Sequence, residues 1–452
     1  MGENPYTAPA TPTAPAARPD GTPADDCPLS RGQQTLNLCL FAICTGLIYL
    51  AAPVLYVGVT QASLVNRLGG SSAVANMPNT AFFLMTVVPV FVAWLFPFVS
   101  YLKRTLVTCF AIVAAILAAV AVVMVLPVPP SVKIAAVVLQ GGLCGAALPT
   151  AVALLWEMVG RGVVESRRGQ ALGLAFGFGP VLAVIGSLGS QLLLTGQMWR
   201  LEMSVPSFPW NFAALFAAGV PVMALAAILA SRCIVPLPAV ELKRESFREG
   251  VIGGLLNFVT DRILLTAMIV TLLLYTGNVI SSNMNLYTEI ILGPPEQYAS
   301  YQNALRFTFK VVAGIALGWT LLRTNPRTGI LLTAAFFILS QVYAVAVTGE
   351  WYLVAFGLLG AGELVGVYAP NYILSASRPD QMRRNMAVVT MLMAPVAPLG
   401  TFFGWVADFV GGLEGPQTGF RTSFVLCGMC MLAGVVVALR YLPPRPRSVL
   451  AD

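Results

Sequence analysis

The chain is dominated by apolar runs too long to belong to the core of a soluble domain. A stretch of about 18 or more mostly apolar residues crosses the hydrocarbon layer as a helix, because only a helix or a closed barrel satisfies its own backbone polar groups there. Twelve such runs are read, over about 35–59, 79–101, 105–126, 131–156, 169–195, 211–231, 262–285, 298–321, 327–347, 350–375, 384–409 and 420–441. Hydrophobic residues make up 57% of the 452 positions and charged residues only 10%. The mean hydropathy is +0.80. Leu106 to Ile134 carries a single charge, Lys133. These features exclude a string of soluble domains and predict an all-α polytopic membrane protein.

The formal net charge is +7, yet the basic residues sit in short loops rather than on one continuous surface, so nucleic acid is not the expected partner. With the N-terminus inside, twenty Lys and Arg fall on one side, and only Arg67, Lys133, Arg200 and Arg421 fall on the other. That asymmetry follows the positive-inside rule and supports both the helix count and cytoplasmic termini. The expected location is a plasma (bacterial inner) membrane, with lipid as the surrounding partner and a monomer as the expected state.

Residues 1–32 are rich in Ala, Pro and Thr and read as a disordered cytoplasmic tail. They lack the basic-then-apolar pattern of a cleaved signal peptide. A charged linker at 232–261 separates a six-helix bundle at 33–231 from a second at 262–441, and 442–452 forms a second tail. Part of 240–256 is either a helix on the cytoplasmic surface or an extended tether. Two six-helix halves are the arrangement of transporters built from parallel repeats.

Several loops sharpen this. After span eight the chain reads Gly314-x-x-x-Gly318-Trp319-x-x-x-Arg323-x-Asn325-Pro326-Arg327. The corresponding loop after span two keeps Lys103 and Arg104 but has Pro97 and Ser100 in the region of the glycine and acid. The loop after span four reads RGVVESRRG from Arg161 to Gly169. With the six-plus-six topology, these loops resemble the major facilitator superfamily over about 33–441. The resemblance implies twelve transmembrane helices in two bundles, alternating access between them, and gating roles for Lys103, Arg104, Arg161, Arg323 and Arg327. Gly173, Gly177, Gly179, Pro180 and Gly186 in span five loosely resemble the glycine–proline motif of the family's exporters, although ordinary helix packing accounts for them as well.

Three charges lie inside apolar helices: Arg306 and Lys310 in span eight and Glu363 in span ten. A charge at membrane depth is costly unless paired or hydrated, and it points to a functional path by default. Arg306 and Lys310 are four apart and share a face. If Glu363 is ionised the three sum to plus one. A spare cation suits a carboxylate, phosphate or sulfonate, and arginine suits a planar anion by its two-pronged geometry. Burial disfavours an ionised carboxylate, so Glu363 is the expected proton-coupling group. The plain alternative is an ion pair that only ties spans eight and ten together. A basic residue in span eight also resembles the monocarboxylate and oxalate branches of the superfamily, and a glutamate in span ten its peptide branch.

Polar residues in neighbouring spans complete the expected substrate site: Tyr275, Asn278 and Ser282 in span seven, Gln140 in span four, Tyr56 in span one, and Tyr368 and Asn371 in span ten. Glu157, Asp261 and Asp408 are read as cytoplasmic-end partners of Arg161, Arg262 and Arg327, which makes Glu157 and Asp408 gating residues. There is no histidine, and no lysine follows a glycine-rich phosphate loop, so neither histidine-based catalysis nor ATP hydrolysis has its parts. No metal site, cofactor or enzyme activity is expected; Cys427 and Cys430 lie in an apolar helix with no second pair. The function expected is proton-coupled secondary active transport of a small anionic or zwitterionic organic solute. Proton-driven export of drugs or amphiphiles is the alternative.

Overall fold

A computed structural model describes residues 29–446, apart from 56–57, 199–200, 237–245, 295–296, 322, 378–384, 386–387, 390 and 392. The described chain is almost entirely helical; the one sheet is a two-stranded pairing of Gln197–Met198 with Leu201–Glu202. Among the described residues, eleven helices are long and apolar enough to cross a membrane.

The N-terminal half contains α1 (Arg31–Leu50), α2 (Ser72–Leu95), α3 (Val99–Val125), α4 (Pro130–Gly162), α5 (Glu165–Thr195) and α6 (Trp210–Ala230). The C-terminal half contains α7 (Arg262–Ile291), α8 (Ala299–Leu321), α9 (Pro326–Ala346), α10 (Glu350–Ile373), α11 (Ala394–Glu414) and α12 (Pro416–Tyr441). The helix outside the eleven is α8, which carries Arg306 and Lys310. Its 23 residues span about 35 Å at 1.5 Å per residue, long enough to cross.

Local chemistry starts these helices where it does. Ser30 and Gln33 form a reciprocal capping box on α1. Ser71, Asp261 and Asn325 cap α2, α7 and α9 with their side chains. Gly415, at φ +99°, alone links α11 to α12.

Three spans are interrupted. α1 stops at Ala51, and the chain continues through short helices at Ala52–Leu55 and Thr60–Arg67. α7 breaks at Ile280. α10 breaks at Glu363 and Leu364, between the segments Val354–Gly362 and Val365–Ala376. α2 starts earlier than its apolar run implies, because its polar first turn from Ser72 to Asn76 is helical against α11. α12 likewise starts at Pro416. Within the linker, Arg248–Ile252 and Gly253–Thr260 are helical, while 240–245 lies outside the described residues.

Within the N-terminal half α1 packs on α5, α3 on α6, and α2 on α4; in the C-terminal half α8 packs on α10 and α12 on both α7 and α9. The halves meet mainly through α2 with α11 and α5 with α8. α1 begins and α12 ends at one end of the bundle, here the tail end; the other is the distal end.

Candidate functional site

The charged cluster is built where α8 and α10 come closest. A Cβ at Gly360 would collide with the backbone of Arg306, so only glycine at 360 permits this approach. One turn after that contact α10 loosens. Glu363 still donates its N–H to Leu359, but Gly366 bonds back to Glu363 across three residues. The carboxylate projects from this break toward α8.

Both cations meet it. Arg306 Nε donates to Glu363 Oε1 at 2.5 Å, and Arg306 Nη2 pairs with the same oxygen. Lys310 Nζ donates to Glu363 Oε2 at 2.8 Å. Each carboxylate oxygen therefore serves one cation. Arg306 and Glu363 are only 5% and 7% exposed, while the Lys310 side chain retains 19%. The lysine is the wetter arm. Arg306 Nη1 is buried with no hydrogen-bond partner among the described residues. A buried guanidinium donor without an acceptor is unfavourable.

Aromatic rings surround the charges. Phe307 lies under Lys310 Nζ at 5.8 Å from the ring centroid and meets Tyr49 of α1 edge-on at 6.2 Å. Tyr275 covers Gly366, one turn from Glu363, and meets Phe83 of α2 edge-on at 6.5 Å. Residues of both halves thus stand beside the cluster.

The other expected substrate contacts separate into distinct places. Asn278 is partly buried on α7, one turn from Tyr275, and its carbonyl accepts from Ser281 Oγ. Ser282 is buried past the α7 break, close to Gly58, and its hydroxyl has no hydrogen-bond partner among the described residues. Gln140 donates to the Val54 carbonyl at 3.0 Å and to Cys144 Sγ. Gln61 donates to the same carbonyl at 2.8 Å. The two amides together hold the broken end of α1. Tyr368 is buried on α10, and Asn371 is exposed. Tyr56 lies outside the described residues.

The gating residues also divide. Lys103, Arg104 and Arg323 are exposed at the tail end. Glu157 and Arg161 pair along one face of α4 at 2.7 Å. Arg327 Nη1 donates to the Leu442 carbonyl at 2.8 Å, tying α9 to the end of α12. Asp261 caps its own helix through Ile263 and Leu264 N–H.

The placement of Asp408 at a cytoplasmic end, as a partner of Arg327, is overturned. Asp408 lies near the C-terminus of α11, and an eleventh span that starts at the tail end finishes at the distal end. There its carboxylate accepts from Ser72 N at 3.1 Å and Ala73 N at 2.9 Å, at the start of α2.

Asp408 belongs to a set of bonds between the halves that sequence reasoning missed. Asn76 Nδ2 donates to Asn283 Oδ1 at 2.6 Å, and Asn79 Nδ2 to the Val279 carbonyl at 3.3 Å. Thr80 and Thr401 hydroxyls bond at 2.8 Å. Asn285 bonds Val59 and Ser63, and Asn66 bonds Glu289. Ser190 bonds Ser300. These contacts knit the halves together toward the distal end. The available signal was the polar residues inside apolar spans, Asn76, Asn79 and Thr80 in α2 and Asn283 and Asn285 in α7.

The sequence matches the family model of the Major Facilitator Superfamily over residues 38–401. The chain belongs to the Major Facilitator Superfamily. It is accordingly a membrane transporter and not an enzyme. No curated protein matches its sequence. The fold is similar to that of solved transporters at low identity. A crystal structure of the nucleoside transporter NupG has a TM-score of 0.69 at 10% identity, covering 90% of this chain and 100% of that one. The D-xylose–proton symporter gives 0.67 at 12%, covering 91% and 98%. An auto-inhibited peptide transporter of the POT family gives 0.65 at 14%, covering 93% and 100%.

Proposed function

We propose that this transporter moves a small anionic or zwitterionic organic solute together with a proton, with Arg306 and Lys310 as the anion clamp and Glu363 as the proton site. The observation that carries the reading is the unpartnered Nη1 of buried Arg306 beside a carboxylate already shared by two cations. Such a cluster lacks one acceptor and holds one surplus positive charge.

Charge bookkeeping then explains coupling. With Glu363 ionised and no substrate, the cluster carries plus one. A proton on Glu363 together with a singly charged anion on Arg306 also gives plus one. A proton without the anion would leave two buried cations without a counter-charge, and breaking a buried pair costs about 3–5 kcal/mol. An anion without the proton must compete with Glu363 for the same guanidinium. The two favoured states are therefore empty and doubly loaded, which is symport. That the D-xylose relative is a proton symporter by name agrees with proton coupling, and the relatives lend no support to the exporter alternative.

In this reading Tyr275, which covers Gly366 one turn from Glu363, orients the bound solute, and the rings of Tyr49 and Phe307 wall it. Gln140, with its amide donors on Val54 and Cys144, supports the α1 break next to the path. The excess of Lys and Arg on one side supports placing the tail end in the cytoplasm.

The test is uptake by purified protein in proteoliposomes, screened with radiolabelled small carboxylates and zwitterions, with and without an imposed proton gradient. Gradient-driven accumulation that is lost in Glu363→Gln, with exchange retained, supports the assignment. Accumulation of neutral solutes alone sinks it.

A further inference from the structure

We infer that Asp408 is a charged latch that holds the distal gate shut by capping, from the C-terminal half, the first turn of α2 in the N-terminal half. The inference rests on neither a substrate nor a coupling ion, so it stands or falls apart from the transport reading above.

The first backbone N–H groups of a helix have no acceptor within that helix. At α2 these groups are shared out between two sources. Ser71 Oγ accepts from Val74 N, which is an ordinary local cap. Ser72 N and Ala73 N donate instead to the two oxygens of Asp408, more than three hundred residues away. The positive end of the α2 dipole adds to the attraction. A carboxylate bonded to two backbone donors is among the stronger contacts a gate can hold.

The face of α11 that presents this acid is shaped for the contact. One turn before Asp408, Gly404 lies against the Ser72 carbonyl and the Ala73 backbone, where a Cβ would fall within 2.6–2.8 Å. One turn earlier again, Gly400 faces Thr80. Two glycines let the helices close, and the acid at the end of the row fastens them. The remaining bonds across α2 and α11, such as Thr80 with Thr401, are between neutral groups. Any motion that separates the halves at this end strips Ser72 N and Ala73 N of their acceptor and strands the carboxylate. Local helix capping alone would not couple that cost to the gate; a cap supplied by the opposite half does.

The test measures gate closure directly. Thr80→Cys and Thr401→Cys place two thiols across the gate, and copper phenanthroline oxidises them to a disulfide with loss of two protons and two electrons to the copper oxidant. The rate is read as the linked 80–401 peptide, in the full chain reconstituted in lipid nanodiscs. Adding Asp408→Asn removes the charge and is expected to slow cross-linking about tenfold, equivalent to about 1.4 kcal/mol. Ser71→Ala weakens the local cap on the same helix and is expected to leave the rate unchanged. Ser72→Pro deletes one donor to Asp408 at a position where proline suits a helix start. It is expected to slow cross-linking by itself and to add nothing once Asp408→Asn is present. An unchanged rate in both Asp408→Asn and Ser72→Pro overturns the latch. So does an equal slowing by Ser71→Ala, or full additivity of the other two. Should Asp408→Asn fail to fold, Ser72→Pro against Ser71→Ala decides alone.

Discussion

Glu363 on α10 reaches Arg306 on α8 because Gly360, one turn before the acid, leaves room for the Arg306 backbone. The ion cluster and the helix contact are one feature. Gly360→Ala is therefore expected to push α8 from α10, destabilising the protein by about 1–3 kcal/mol, as overpacking does. Thermal unfolding in detergent reads the loss. Transport should fall more steeply than stability, because Arg306 is displaced from Glu363.

Arg306 makes a contact that lysine cannot copy. Arg306→Lys retains a positive charge for Glu363 but loses the fork geometry and the open Nη1. The variant should fold and should bind anionic solutes at least about tenfold more weakly, a loss of about 1.4 kcal/mol. Arg306→Ala should also lower thermal stability. Binding of a transported anion, measured by calorimetry, separates these outcomes; equal affinity for Arg306→Lys would assign the arginine to structure alone.

Gln140 separates support from recognition. Gln140→Leu removes one donor from the Val54 carbonyl, leaving Gln61 as the other. The expected cost is about 1–2 kcal/mol in stability. A KM that stays within about twofold would mark the amide as a brace for the α1 break rather than a direct substrate contact.

Much of this was legible in the chain. The apolar runs placed the spans, and of the three charges that broke the pattern both cations touch the acid. Gly360, Gly362 and Gly366 flank Glu363 in the sequence, and α10 breaks at that acid. What escaped was pairing across the halves. Asn76 with Asn283, or Thr80 with Thr401, depends on how two bundles dock, and no local period encodes that. The end assigned to Asp408 was a different failure. The alternation of spans puts it opposite Arg327, and an acid near a helix end carries no local mark of which end that is.

The linker offers a further check. Phe247 stacks on Phe91 of α2 at 6.1 Å and meets Trp94 edge-on at 5.1 Å. This seats the helix leading into α7 on the N-terminal half. Aromatic pairs of this kind add about 0.5–1.5 kcal/mol each beyond burial. Phe247→Ala should speed hydrogen exchange across 248–260 while leaving exchange in the α7 segment Arg262–Val279 unchanged.

On the proposed function, Glu363 carries the proton that accompanies the solute. Proton movement in proteoliposomes loaded with a pH-sensitive dye tests this most directly, with no imposed gradient and a transported carboxylate added outside. Wild-type protein should acidify the lumen as solute enters. Glu363→Gln should exchange solute without a pH change. Substrate-driven acidification that persists in Glu363→Gln would contradict the account.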